Sequence, residues 1–261
     1  METGRRNFLK IGGICALGFG SLRVVNALGQ TETTPKFTAN IEGLTAKRWA
    51  MAIDMKKCWE KGSPGCKDCV LACHSTHNVP DIGTQKEEIK WIWEEKYENV
   101  FPGQQSGMEP EEIREKPFMV LCNHCKNAPC TRVCPTQATF KRADGITMMD
   151  FHRCIGCRYC MAGCPFGARS FNFRDPRPYI KTELNPTFPT RDRGVVEKCN
   201  FCEERLGAGK MPACVEACKC KALSFGDLED PNSDVRKALA SQFSLRRKPE
   251  LGTEPGVYYI I

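Results

Sequence analysis

Apolar residues in this 261-residue chain come in short bursts set among polar and turn-forming residues. Trp49–Asp54 (WAMAID) and Phe118–Leu121 (FMVL) read as short strands. Residues 139–142 and 146–151 read as two more, joined at Asp144-Gly145, a pair that favours a tight hairpin. In residues 87–97 (EEIKWIWEEKY) Trp91 and Trp93 stand two apart among charges, as in a half-exposed strand, and read as core packing, with a partner surface as the alternative. Residues 234–243 predict a short helix. Residues 251–261 (LGTEPGVYYII) predict a β-prone tail that either completes a sheet or docks on a partner. Prolines at 176, 178, 186 and 189 break helices and inner strands, so residues 171–194 predict an extended crossover. Residues 31–45 read as a polar linker, and 103–115 as a surface excursion. The class is α+β and loop-rich.

Eighteen cysteines change that picture. Sixteen fall into four blocks, each ending in C-x3-C: Cys58, Cys66, Cys69 and Cys73; Cys122, Cys125, Cys130 and Cys134; Cys154, Cys157, Cys160 and Cys164; Cys199, Cys202, Cys214 and Cys218. The third block has the C-x2-C-x2-C-x3-C-P spacing that binds [4Fe-4S] clusters, three thiolates holding one cluster while the fourth crosses to its neighbour. The second differs by two extra residues between its second and third cysteines. With the hairpin between them, residues 122–165 have the ligand layout of a two-cluster ferredoxin. In the first block WEKGSPG follows Cys58, and residues 61–65 read as a turn that bulges outward and returns the chain. The fourth, C-x2-C-x11-C-x3-C, resembles a zinc ribbon alone but fits an internal repeat beside the others.

Four thiols packed so closely suit one inorganic centre better than separate disulfides. Zinc sites use two cysteine pairs and need neither a third cysteine two residues on nor a remote fourth. His74 and His77 are surplus to the ligand count and read as supporting or surface residues. Cys220 reads as a passive thiol, with exchange for Cys218 as the alternative, and Cys15 as a small apolar filler.

The formal charge of +7 suggests a nucleic-acid face until the cofactors are counted. Each oxidised four-thiolate [4Fe-4S] centre carries about −2, so four offset roughly eight charges. The basic residues then compensate buried anions. At the start of the chain, Arg5-Arg6-Asn7-Phe8-Leu9-Lys10 precedes an apolar run over 11–20 and a small-residue site at Val25-Asn26-Ala27. Residues 1–29 therefore resemble a twin-arginine signal, which carries proteins folded around their cofactors. The expected location is the periplasm or outer face of the cytoplasmic membrane. The apolar run is short and interrupted for a membrane span, and an uncut anchor stays open as the alternative to cleavage.

Over residues 48–227 the four blocks resemble the four-cluster iron-sulfur subunits of the dimethyl sulfoxide reductase family. More narrowly, CWEKGSPGCKDCVLACHSTHNVPD, DFHRCIGCRYCMAGCPFGARSFNFRDPRPY and LGTEPGVYY resemble the DsrO-type subunits of sulfite-reduction-associated complexes, relatives of the Hdr-like menaquinol-oxidising complex. The resemblance implies two ferredoxin-like lobes, one inserted in the other, each with two of four [4Fe-4S] clusters. The outer lobe would span 45–115 and 195–230, the inner lobe 116–175, with a Pro-rich crossover at 176–194 and a tail at 231–261. It also implies crossed ligation: Cys58, Cys66, Cys69 and Cys218; Cys199, Cys202, Cys214 and Cys73; Cys122, Cys125, Cys130 and Cys164; Cys154, Cys157, Cys160 and Cys134. Pro135 and Pro165 match the proline after the crossing cysteine, whereas His74 and Lys219 depart from it.

The implied role is electron relay without a substrate of its own, and no catalytic set stands out. The implied partners are a quinol-interacting NrfD-type integral subunit, a multihaem cytochrome c and Hdr-like iron-sulfur subunits. Alternatives are the relay subunit of a molybdopterin oxidoreductase and, from another class, a zinc-stabilised nucleic-acid or scaffold protein.

Overall fold

The computed structural model describes residues 42–62 and 65–261. The expected signal at 1–29, most of the 31–45 linker and Cys15 lie outside them. Strands run in chain order as β1 (Trp49–Asp54), β2 (Ile92–Glu95), β3 (Phe118–Leu121), β4 (Thr139–Lys141), β5 (Thr147–Met149), β6 (Ser170–Phe171), β7 (Val196–Glu197), β8 (Leu223–Asp227), β9 (Ser244–Leu245) and β10 (Val257–Ile260). The helices between them have nine residues at most. Among the described residues no helix is long and apolar enough to cross a membrane.

The largest sheet has the order β8-β1-β10-β9. β1 pairs antiparallel with β8, Met51 opposite Phe225, and parallel with β10, Met51 opposite Val257. Side chains alternate across a strand, and here both faces are used. Trp49, Met51 and Ile53 enter the main core, while Ala50 and Ala52 sit against Val235 and Ile260. The alanines leave room for the helix Asp234–Ser241, whose N-cap Ser233 accepts from the Arg236 N–H at 3.2 Å. The C-terminal tail thus completes a sheet.

Three two-stranded sheets organise the rest: β2 with β3, β4 with β5, and β6 with β7. The β4–β5 hairpin turns at Gly145, whose φ of +84° suits a residue without a Cβ. β2–β3 and β6–β7 join segments on either side of the expected lobe boundaries. The chain just before β10 also leans on the second cysteine block, where the amides of Lys126 and Asn127 donate to Glu254 and Thr253.

The core-packing reading of Trp91 and Trp93 holds, and the charged residues around them stay at the surface or half-buried. Trp91 is 1% exposed and Trp93 9%. The reason lies in the proline-rich crossover, which is packed down over this segment. Phe188 meets Trp91 edge-on at 5.9 Å, and Arg191 lies over the same indole at 5.6 Å. Arg191 also pairs with the fully buried Glu197 at 2.6 Å, and the Trp91 Nε1–H donates to Glu197 at 2.9 Å. Asn172 Nδ2 donates to the other carboxylate oxygen at 2.6 Å. A buried carboxylate therefore gathers three donors from three parts of the chain, as burial of a charge requires.

Candidate metal centres

All seventeen described cysteines are free thiols. Sixteen gather into four sets that cut across the sequence blocks. Cys134, Cys154, Cys157 and Cys160 line one cavity with Ile155, Arg158 and Val196. Cys122, Cys125, Cys130 and Cys164 line a second with Thr147, Phe166 and Arg169. Cys73 faces Cys199, Cys202 and Cys214 in a third group that is buried throughout. Cys58, Cys66 and Cys69 share an open cleft with Trp59 and Met119, and Cys218 faces Cys58 and Cys69.

The sets are strung in a row. Cys160 of the first faces Cys130 of the second, Cys122 of the second faces Cys199 of the third, and Cys214 of the third faces Cys69 of the fourth. The two ends of the row reach the surface: Cys66 is exposed, and Cys154 and Cys157 are half-buried.

A repeated turn delivers three of the crossing cysteines. After Cys134, Cys164 and Cys218, the N–H three residues on returns to the cysteine carbonyl, from Gln137 at 3.3 Å, Gly167 at 3.5 Å and Lys221 at 3.0 Å. Each of those third residues is left-handed, with φ of 55°, 64° and 52°. A buried alanine follows each time, Ala138, Ala168 and Ala222. Backbone amides then point at the thiol: Thr139 N–H to Cys134 Sγ at 3.5 Å, and Ala222 N–H to Cys218 Sγ at 3.3 Å. The Cys-x-x-x-Ala spacing was visible in the sequence and is the signal that would have found this turn. Cys73 departs from it. It stays in the helix Asp68–Thr76, and its carbonyl accepts from the His77 N–H at 3.1 Å and lies 2.9 Å from the His77 Nδ1.

His77 is therefore no surface residue. It is buried, stacked on Trp91 with centroids 4.4 Å apart, and its Nε2 lies 2.8 Å from Glu204 Oε1. Burial pushes the Glu204 carboxyl up, but His77 outweighs it and holds the group below its ordinary value.

Three charged or aromatic features here have no signature in the sequence. Arg169 is buried between two sets, its Nη2 3.0 Å from Cys130 Sγ and its Nη1 3.0 Å from Thr139 Oγ1. Burial works against its charge, but the neighbouring Cys130, Cys160 and Cys122 raise its pKa on balance. The buried Lys198 donates through Nζ to the carbonyls of Thr147 and, at 2.6 Å, Cys199, between the second and third sets. At the same junction His124 stacks on Phe201 with centroids 3.6 Å apart. Burial, then Lys198 and Arg169, lower its pKa well below the ordinary value, so the ring is neutral.

The donor set fits iron-sulfur clusters. A thiol must lose its proton to become a ligand, and burial opposes that here until a cation arrives. Burial and neighbouring thiols push Cys58 up to about 11, and Cys69, Cys125 and Cys199 up to about 12. The backbone N–H groups and Arg169 aimed at the sulfurs are what stabilises thiolate charge once metal is bound.

Comparison with known proteins agrees with this chemistry. The family described as a 4Fe-4S dicluster domain matches twice, over residues 116–177 and 178–228. The first match contains the second and third cysteine blocks, the second the fourth. The chain is 39% identical over 275 residues to the Hdr-like menaquinol oxidoreductase iron-sulfur subunit 1 of Archaeoglobus fulgidus, covering 98% of this chain and 97% of the relative. It is 38% identical to an iron-sulfur subunit of Halobacterium salinarum named for dimethyl sulfoxide reductase, covering 81% of this chain and 78% of the relative. It is 33% identical to a subunit of the tetrathionate reductase of Salmonella typhimurium, covering all of this chain and 89% of the relative. Two dicluster matches and sixteen grouped cysteines fit four [4Fe-4S] clusters.

Proposed function

This chain belongs to the 4Fe-4S dicluster family of iron-sulfur subunits, and on that premise we propose that it is the electron-relay subunit of a sulfite-reduction-associated quinone complex of the DsrO type. The observation that carries the reading is the single row of four thiol sets, buried in the middle and open at both ends. Electrons would enter at one end and leave at the other. In this reading each set named above holds one cluster, with Cys134, Cys164, Cys218 and Cys73 as the crossing ligands. A cubane spreads an added electron over iron and sulfide, so little has to reorganise when charge moves, and the protein's share is spacing, burial and hydrogen bonds to sulfur. Arg169 and Lys198 lie between neighbouring sets, where a positive charge stabilises the reduced state of both.

The subunit would be exported by the twin-arginine route and held on the outer face of the membrane by an NrfD-type integral subunit, with a multihaem cytochrome c and an Hdr-like iron-sulfur subunit as further partners. The menaquinol oxidoreductase relative supports this reading, since its likeness runs through almost the whole of both chains. The likeness to subunits named for dimethyl sulfoxide and tetrathionate reductases supports a second, in which the same relay feeds a molybdopterin subunit.

The test is anaerobic purification from native membranes in mild detergent, with mass-spectrometric identification of everything that travels with the chain. An NrfD-type subunit with a multihaem cytochrome supports the quinone complex. A large molybdopterin subunit in its place overturns it for the second reading. Colourless protein containing zinc, without roughly sixteen irons per chain, would eliminate both.

A further inference from the structure

Cys220 belongs to none of the four sets, yet it stands beside one. Its Sγ lies 3.5 Å from Cys218 Sγ. Both thiols face Cys58, which lines the open cleft. The repeated turn explains the placement. Lys221 at φ 52° reverses the chain, which brings the side chain two residues after Cys218 back alongside it. The Ala222 N–H, 3.3 Å from Cys218 Sγ, is also directed toward Cys220. At the matching position after Cys134 the turn carries Thr136, whose hydroxyl lies 3.7 Å from Cys134 Sγ. After Cys164 it carries Phe166, which has no donor. Only in the fourth block does this position offer a second thiol. The cleft is also the most open of the four sites, with Cys66 exposed and Cys58, Cys69, Cys218 and Cys220 half-buried.

We propose that Cys218 and Cys220 are interchangeable ligands to the same iron, so that the surface-facing end of the row keeps its cluster when one thiolate lets go. The inference rests on the cluster reading above. The step is a ligand exchange with no change of oxidation state. The Cys220 sulfur gives up its proton and forms an iron–sulfur bond, the bond to Cys218 breaks, and the Cys218 sulfur takes up a proton. The shared Ala222 amide can donate to whichever sulfur carries the negative charge.

Two measurements on the complex purified anaerobically with the full chain test this. In the first, the native complex is treated with a thiol-alkylating reagent and the labelled positions are quantified by mass spectrometry. Label divided between Cys218 and Cys220 is expected, with labelling of Cys218 at least tenfold lower in the Cys220→Ser variant, because Cys218 is then permanently bound. Label confined to Cys220 would overturn the proposal. In the second, iron content and paramagnetic spectra are compared for Cys218→Ser, Cys220→Ser and the double variant. Each single variant is expected to keep full iron, with the spectrum of one cluster altered in Cys218→Ser, and the double variant to lose about a quarter of its iron. A Cys218→Ser protein as depleted as the double variant would sink the exchange. Native complex without iron would instead sink the cluster reading on which it stands.

Discussion

The Arg169 guanidinium sits 3.0 Å from Cys130 Sγ, with Cys160 of the adjoining thiol set as its next partner. A fixed positive charge shared by two neighbouring sites favours the extra electron on either, and it does so from within a buried region where screening by water is weak. It therefore couples the properties of two sites that share no ligand.

Replacing Arg169 with Met is expected to lower the reduction potentials of both inner clusters. A hydrogen bond to a charged group is worth ~1.5–3 kcal/mol, and for one electron even part of that amounts to a shift on the order of 50 mV. Redox titration followed by paramagnetic resonance checks it. A shift confined to one cluster would show that the charge is not shared.

The Arg191–Glu197 pair makes a prediction about stability. Neither side chain has any exposure, so Arg191→Met leaves an uncompensated carboxylate under Trp91 and Asn172. Breaking a buried pair in this way costs about 3–5 kcal/mol. Thermal unfolding should register the loss, and adding Glu197→Gln should return part of it, since the two changes act on one network.

Gly156 stands between Cys154 and Cys157 with φ 71°, and a Cβ there would lie 2.5 Å from the Gly194 carbonyl oxygen. Neither the backbone conformation nor the space admits a side chain. Gly156→Ala is expected to release the crossover from this loop, with selective loss of the cluster at Cys134, Cys154, Cys157 and Cys160. Cluster-resolved spectra check this, and unchanged signals from the other three sites distinguish local damage from general unfolding.

Stripping the clusters should expose a dependence on alkaline pH. The folded thiols of Cys125 and Cys199 are pushed up from 9.0 to about 12, chiefly by burial. Their contribution to the stability of the apoprotein is complete below pH 9, the value they regain on unfolding, and is lost as the pH rises from 9 towards 12. Chemical denaturation of the apoprotein across that window should show a falling midpoint. The loaded protein, whose ligands have already given up their protons, should lack that fall.

The sequence carried the strands well where they were short, apolar and bounded by turn residues. Trp49–Asp54 and Phe118–Leu121 run over those residues in the structure, and Asp144-Gly145 turns the β4–β5 hairpin. Trp91 and Trp93 were legible as core residues from their spacing, but what covers Trp91 was not. The residues that cover it, Phe188 and Arg191, lie about a hundred positions away in a proline-rich stretch with no pattern of its own. The cysteine blocks were plain as spacing. Arg169, Lys198 and His124 were not, since a buried polar side chain is legible only from what surrounds it, and in sequence each looks like an ordinary surface residue.

The pairing of β1 with β10 has a consequence during synthesis. Met51 through Asp54 must wait for Val257 through Ile260, a separation of about two hundred residues, before the middle of the main sheet can close. On the ribosome β1 is therefore available early with both edges unpaired, since β8 is also translated late. The inner cysteine blocks, Cys122 through Cys164, are translated before that sheet can form. Chain order then imposes a schedule in which all eight inner cysteines are synthesised while the outer framework is still open, and the sheet that frames the outer sites can close only at the end.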